Sequence, residues 1–196
     1  MSPRRYDMTK RAAAVEETRR RIVEATMDLH TSQGILATSW EEIARRAGVA
    51  PATVYRHFPT LDDLLPACGE LSMRRLALPS DEEIAQRFRG TRSRRERVRR
   101  LVDELFGLYQ RGGDVLRVLR RERALLPPLQ EDHKRIEERV DALTAAALEP
   151  FELGEHEIAV VRALTGYDPW AALRERGIAG PDAVDVVARL LEGWLR

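Results

Sequence analysis

Apolar positions recur along this chain at spacings of three and four residues, the mark of helices with one buried face. Between Glu17 and Gln33, Ile22, Ala25, Thr26 and Leu29 fall on one face, and Gly34 follows as a stop. Ser39-Trp40-Glu41-Glu42 predicts a capping box, in which the Ser39 hydroxyl and the Glu42 carboxylate satisfy each other's opening amides. The short helix it opens runs to about Ala47, and Gly48 supplies the left-handed conformation that a tight helix-to-helix turn needs. Pro51 fits the first turn of the next helix, which ends at His57 ahead of Pro59. Thr60, with Asp63 three residues on, caps a fourth helix to about Arg75.

Beyond Pro79, Ser80 with Glu83 and Ser93 with Glu96 predict two further capping boxes. The second opens a helix expected to close at Gly112-Gly113, and Asp114 is expected to cap another that ends at Leu126 before Pro127-Pro128. Helices follow over roughly 129–148, over 155–176 with a kink at Pro169, and over 181–195. No segment of five or more residues alternates like a strand. The prediction is an all-α chain of about nine helices.

The stretch from Trp40 to Pro59 has the spacing of a helix-turn-helix unit. Ala44 is small enough for a second helix to cross close by, and Gly48 makes the turn. Val49, Val54 and Phe58 fill the space beneath, with Ile43 facing them. The second helix of the pair has two turns, with Pro51, Ala52, Thr53, Tyr55, Arg56 and His57 as its outward positions. A major groove about 12 Å wide admits one such helix. Thr53 and Tyr55 can donate to phosphates or base edges, Arg56 can fork onto guanine, and His57 can donate to phosphate. Arg4, Arg5, Lys10 and Arg11 could lie along the backbone or in the minor groove. By themselves Tyr55 and His57 also read as ordinary surface residues of a helical turn.

The run Arg21-Ile22, Ala25, Leu29, Gly34, Thr38-Ser39, Ile43-Ala44, Ala47-Gly48-Val49, Thr53-Val54-Tyr55, His57-Phe58 and Leu64 resembles the N-terminal domain of the tetracycline-repressor-like (TetR) family, over about residues 17–70. The resemblance implies a one-component bacterial transcription regulator. Such proteins bind a palindromic operator as a dimer and let go when a small molecule enters the C-terminal domain. It implies DNA contacts at Thr38 or Ser39, at the start of helix two, and at Pro51, Ala52, Thr53, Tyr55 and His57 in helix three. The chain departs from the family pattern at His30, often aromatic there, at Ala52, often glycine, and at Leu61, where a phosphate-gripping lysine is favoured. Loss of that one contact lowers the salt slope of binding by about one. The expected organisation is a flexible basic arm over 1–16, a DNA-binding domain over 17–62, and a helical effector-binding and dimerisation domain over 63–196.

In the last helix Val184, Val187, Ala188, Leu191 and Leu195 form one apolar stripe, widened by Leu190 and Trp194. In the preceding helix Ala159, Ala163 and Gly166 leave a small-residue face that another helix can approach. The resemblance implies that these two helices, about 155–176 and 181–195, pair with their two-fold mates in a homodimer; burial within one subunit is the other reading. Candidate effector contacts are Cys68, Leu71, Phe106, Tyr109 and Trp170, with Met73 as a further candidate. Each also reads as plain core. If they line a pocket, its apolar character favours a hydrophobic or aromatic effector.

Composition narrows the classes. The 196 residues are 43% hydrophobic, enough for a packed core, and 33% charged, which suggests long exposed helical faces. No apolar run is long enough to cross a bilayer, and the polar, basic start does not read as a secretory signal. A single cysteine excludes a disulfide framework and a multi-cysteine zinc site. These features predict a soluble, cytoplasmic protein without membrane association.

Charge is unevenly spread: 10 basic against 7 acidic side chains in residues 1–60, 15 against 11 in 61–124, and 8 against 14 in 125–196. The basic front fits a polyanion partner. The cluster Arg92, Arg94, Arg95, Arg97, Arg99 and Arg100 reads as a solvated face or a partner for the acidic C-terminal third, ahead of a second DNA contact; Arg117, Arg120, Arg121 and Arg123 read likewise.

Enzyme chemistry finds no footing. His133 and Glu137 share a helix face near Glu131 and Asp132, but two ligands do not make a metal site, and His156-Glu157 lacks a second histidine four residues on. There is no phosphate-binding glycine loop, no nucleophile elbow and no cofactor motif. The rival reading is a dimeric helical binding protein whose helix-turn-helix serves packing or protein contact. Salt-dependent, sequence-selective DNA binding separates the two.

Overall fold

In the computed structural model, which describes residues 8–195, ten helices and no strand occur among the described residues. They are α1 (Met8–Gln33), α2 (Trp40–Ala47), α3 (Pro51–His57), α4 (Leu61–Leu76), α5 (Asp81–Phe88), α6 (Arg94–Glu122), α7 (Pro127–Leu148), α8 (Glu155–Thr165), α9 (Tyr167–Glu175) and α10 (Gly180–Trp194). None is long and apolar enough to cross a membrane. The chain forms two compact units: one is the chain up to Ser72 with Asp114–Gln130, the other Met73–Gly113 with the chain from Glu131 onward.

Local caps set several boundaries where the sequence places them. Ser39 and Glu42, and Ser80 and Glu83, form reciprocal capping boxes at the starts of α2 and α5. Thr60 and Asp63 make the same exchange ahead of α4, with the Thr60 amide 3.0 Å from the Asp63 carboxylate. Gly48 closes α2 in the left-handed region at φ 65°, and Pro51 opens α3.

Other boundaries differ from the sequence reading. α1 begins at Met8, because Ala12-Ala13-Ala14-Val15-Glu16 contains good helix formers and no breaker. Lys10 and Arg11, assigned to a flexible arm, therefore lie on a helix, while Arg4 and Arg5 lie outside the described residues. α6 does not stop at Gly112-Gly113; it continues to Glu122, and both glycines are buried. The reason is packing: a Cβ on Gly113 would press on the Trp170 ring, and the Tyr167 hydroxyl donates to the Gly113 carbonyl at 3.0 Å. Pro127-Pro128 occupy the first turn of α7, where a missing N–H is harmless.

The expected kink at Pro169 is a full break three residues earlier. Gly166 ends α8 and caps α9, because the Pro169 ring excludes a helical carbonyl at Thr165, four residues before it.

The first unit has a core of Ile22, Val23, Ala25 and Met27 from α1, Ile43, Ala44 and Ala47 from α2, Val54 and Phe58 around α3, and Leu64, Ala67 and Cys68 from α4. In the second unit α6 buries Val98, Leu101, Val102, Leu105, Phe106, Leu108 and Tyr109, the helical repeat expected of a central helix. Ile136, Val140, Leu143 and Ala147 of α7 are buried in the same unit.

The stripe Val184, Val187, Ala188, Leu191 and Leu195 is buried within the chain, so these residues present no free face. Arg95 pairs with Glu192 at 3.3 Å, Arg99 pairs with Asp185, and Arg94 donates to the Leu195 carbonyl at 3.1 Å. Arg97 is buried and donates to the carbonyls of Ala146, Ala147, Phe88 and Thr91. Four arginines of the α6 cluster thus bind the second unit's own α10 and its carbonyls.

Candidate nucleic-acid interface

The helix-turn-helix geometry rests on few side chains. Val54 is the one fully buried residue of α3, flanked below by Phe58, Ile43 and Ala44, which are all buried. The turn is closed by hydrogen bonds from Gly48 N–H to the Arg45 carbonyl (3.3 Å) and from Val49 N–H to the Ala44 carbonyl (3.0 Å). Arg21 of α1 donates to the carbonyls of Ala47 and Gly48, so a cation caps the negative end of α2. Arg46 of α2 pairs with Asp28 of α1 at 2.9 Å. Arg19 lies over the Phe58 ring, 4.9 Å from its centroid.

Anchoring α3 through Val54 leaves the rest of that helix outward. Pro51, Ala52, Tyr55 and Arg56 are exposed, and Thr53 and His57 are half-buried. All six predicted residues of α3 therefore keep some exposure, spread around the helix on every side but the one Val54 occupies. Burial, with Arg56 and Arg19 close by, holds the His57 imidazole below its ordinary value, so at neutral pH it offers one N–H as a neutral donor.

At the start of α2, Thr38 is half-buried and donates to the Gly34 carbonyl at 2.7 Å, while exposed Ser39 donates to the Glu42 carboxylate at 2.8 Å. The Ser39 amide and hydroxyl hold the Glu42 carboxyl below the usual carboxylate range. Both hydroxyls thus build the α2 start.

A tie invisible in the sequence holds the loop before α2. Glu122, at the end of α6 and 6% exposed, accepts from the amides of Ile35 (2.9 Å) and Leu36 (3.1 Å) and pairs with Arg121. Gly34 lies at φ 105°, and a Cβ there would collide with the Arg121 guanidinium and the Glu122 carboxylate. Arg117 adds a hydrogen bond to the Thr31 carbonyl at 2.9 Å. Gly34 is thus a close-approach site as well as a helix stop. Burial pushes the Glu122 carboxyl up, but Arg121 and the two amides outweigh it and hold it below 4.5. In the same unit, burial pushes His30 down to about 4, so it is neutral.

Of the candidate effector contacts, Cys68 is buried and Leu71 half-buried in the first unit's core, and burial pushes the Cys68 thiol up to about 12. Phe106, Tyr109 and Trp170 gather in the second unit with Tyr167; Tyr109 has its ring centroid 6.4 Å from Phe106, 5.9 Å from Trp170 and 5.8 Å from Tyr167. Met73 is half-buried. Among the described residues no group of three or more His, Cys, Asp or Glu side chains is placed to hold a metal ion.

A short outward-facing helix seated on a capped partner, behind a long first helix, is the arrangement of a helix-turn-helix unit. Residues 22–68 match the family model described as bacterial regulatory proteins, tetR family. The transcriptional regulator AcrR of Shigella flexneri is 29% identical over 92% of this chain and 90% of its own length. Two solved structures share the fold. NalD, the secondary repressor of the MexAB-OprM multidrug efflux pump in Pseudomonas aeruginosa, has a TM-score of 0.63 at 20% identity, covering 91% of this chain and 95% of NalD. A TetR-like transcriptional regulator from Rhodococcus sp. RHA1 has a TM-score of 0.61 at 21% identity, covering 91% and 95%. Over residues 22–68 the chain thus carries a DNA-binding domain of the tetR type, and its likeness to these regulators supports a DNA-binding transcriptional regulator.

Proposed function

We propose that the protein is a ligand-responsive repressor that binds a palindromic operator as a homodimer, in the cytoplasm and without enzymatic activity. The observation that carries this is the exposure of Pro51, Ala52, Thr53, Tyr55, Arg56 and His57 on a short helix held from beneath by Val54 alone. Those six residues, with Thr38 and Ser39, are the proposed DNA contacts, within a DNA-reading domain over about 17–62. The protein is expected to enrich a palindrome from random duplex DNA, with affinity falling steeply between two salt concentrations. Failure to enrich any sequence at either salt would remove the DNA reading. Tyr55→Ala and Thr53→Ala should each lower operator affinity by about tenfold, as loss of a groove contact does, with unchanged circular dichroism. Parent-like affinity in both would take α3 out of the interface.

The dimer is proposed to form through α8, α9 and α10. Leu190, Trp194 and Ile158 are 60%, 42% and 40% exposed, and Ala159 and Ala163 are exposed beside Ile158 on α8. Leu190 also lines an apolar groove of about 340 Å³ with Leu164, Pro169, Leu173 and Val186, a receptor for a partner's side chains. This outer face, and not the buried stripe behind it, is the surface assigned to the second copy.

An apolar or aromatic effector is proposed to act in the remainder of the chain, about 63–196, at the rings of Phe106, Tyr109 and Trp170. Stabilising one domain arrangement over another changes the spacing of the two recognition helices and mismatches the half-sites. In a thermal-shift screen, uncharged aromatic compounds should raise the melting midpoint and highly charged ones should not. The reverse pattern would overturn the effector class.

A further inference from the structure

We propose that Trp40 is a positioning residue that sets the Tyr55 hydroxyl for its contact with operator DNA; the inference rests on the DNA-binding reading above. Trp40 is the first residue of α2, and its ring centroid lies 5.3 Å from that of Tyr55, at an interplanar angle of 34°. The two differ in how firmly they are held. Trp40 is half-buried and packs on the core of the first unit, and its backbone sits in the Ser39–Glu42 capping box. Tyr55 is 44% exposed and projects from a helix of only seven residues. A tyrosine on such a surface can swing its hydroxyl by several ångströms between side-chain rotamers. A fixed indole against its ring favours one of them, so the orientation is set before DNA arrives. Trp40 thereby acts through Tyr55 and needs no contact with DNA of its own.

The test uses the full chain and the duplex it selects from random DNA. Trp40→Leu keeps an apolar side chain but removes the ring, and should lower affinity about three- to tenfold, the range of a lost aromatic pair. Trp40→Phe restores a ring and should stay within about twofold of the parent. In a Tyr55→Ala background Trp40→Leu should cost nothing further, because the residue it positions is gone. Additive losses in that cycle overturn the proposal and leave DNA binding standing. If Trp40→Leu fails to fold, fluorine NMR of the parent labelled with 5-fluorotryptophan decides. The Trp40 resonance, identified by its loss in Trp40→Phe, should shift in Tyr55→Ala already without DNA, because the two rings are paired before operator binds. A DNA-free resonance unmoved by Tyr55→Ala overturns the proposal. A parent that selects no duplex overturns the DNA reading itself, and the proposal falls with it.

Discussion

Glu122→Ala is expected to lower the free energy of unfolding by about 3 kcal/mol, the scale of breaking a buried charged contact. The substitution leaves the Ile35 and Leu36 amides without their acceptor and Arg121 without its carboxylate. Glu122→Gln keeps one acceptor oxygen and should lose about half as much. Urea unfolding gives the magnitude, and amide exchange at Ile35 and Leu36 should accelerate in the alanine variant.

Acid should weaken the same region from two sources. His30 is pushed down to about 4 in the fold, so the unfolded chain takes up its proton first, and stability fully present above about 6.5 is lost as pH falls toward 4. Glu122, held below 4.5, adds a contribution present above that value and lost as pH falls through its lower folded value. Glu122→Ala should therefore keep the His30 loss and remove only the lower part. An unchanged urea midpoint together with unchanged amide exchange would mean that the tie contributes nothing.

Leu190→Glu is expected to give a monomer whose operator affinity is lower by about 100-fold or more, because a dimer converts its second half-site contact into an intramolecular one. In the proposed two-fold interface one substitution would bring a carboxylate from each copy onto the apolar face that carries exposed Trp194 and Ile158. Light scattering reads the mass and an operator titration reads the affinity. A dimer that survives the change would move the interface away from α10. A monomer with parental affinity would overturn the two-half-site reading.

The contacts legible in the sequence are the short-range ones. Ser39–Glu42 and Ser80–Glu83 lie three residues apart, so their pattern alone specifies the starts of α2 and α5. Val54 inward and Tyr55 outward follow from the helical period of a two-turn helix. Gly112-Gly113 shows where such reasoning stops, because a glycine pair can mean a chain break or room for a neighbour. What decides between them is the Tyr167 hydroxyl, 54 residues away. Glu122 binds amides 86 and 87 residues distant, and Arg21 caps carbonyls 26 and 27 residues on. Nothing local in either side chain signals its partner. Trp40 was visible only as a member of a capping box, since its pairing with Tyr55 depends on how α2 crosses α3.

The uninterrupted course of α6 bears on how cooperatively the chain folds. Each interior glycine weakens a helix by about 0.5–1 kcal/mol relative to alanine, so Gly112-Gly113 forms the intrinsically weakest turn of this one. It falls at the residue where the helix passes from one compact unit to the other. That turn is propped from α9, by the Trp170 ring against Gly113 and the Tyr167 hydroxyl on its carbonyl. Loss of the aromatic prop is therefore expected to make this turn the first part of α6 to open, read as faster amide exchange there than along the rest of the helix.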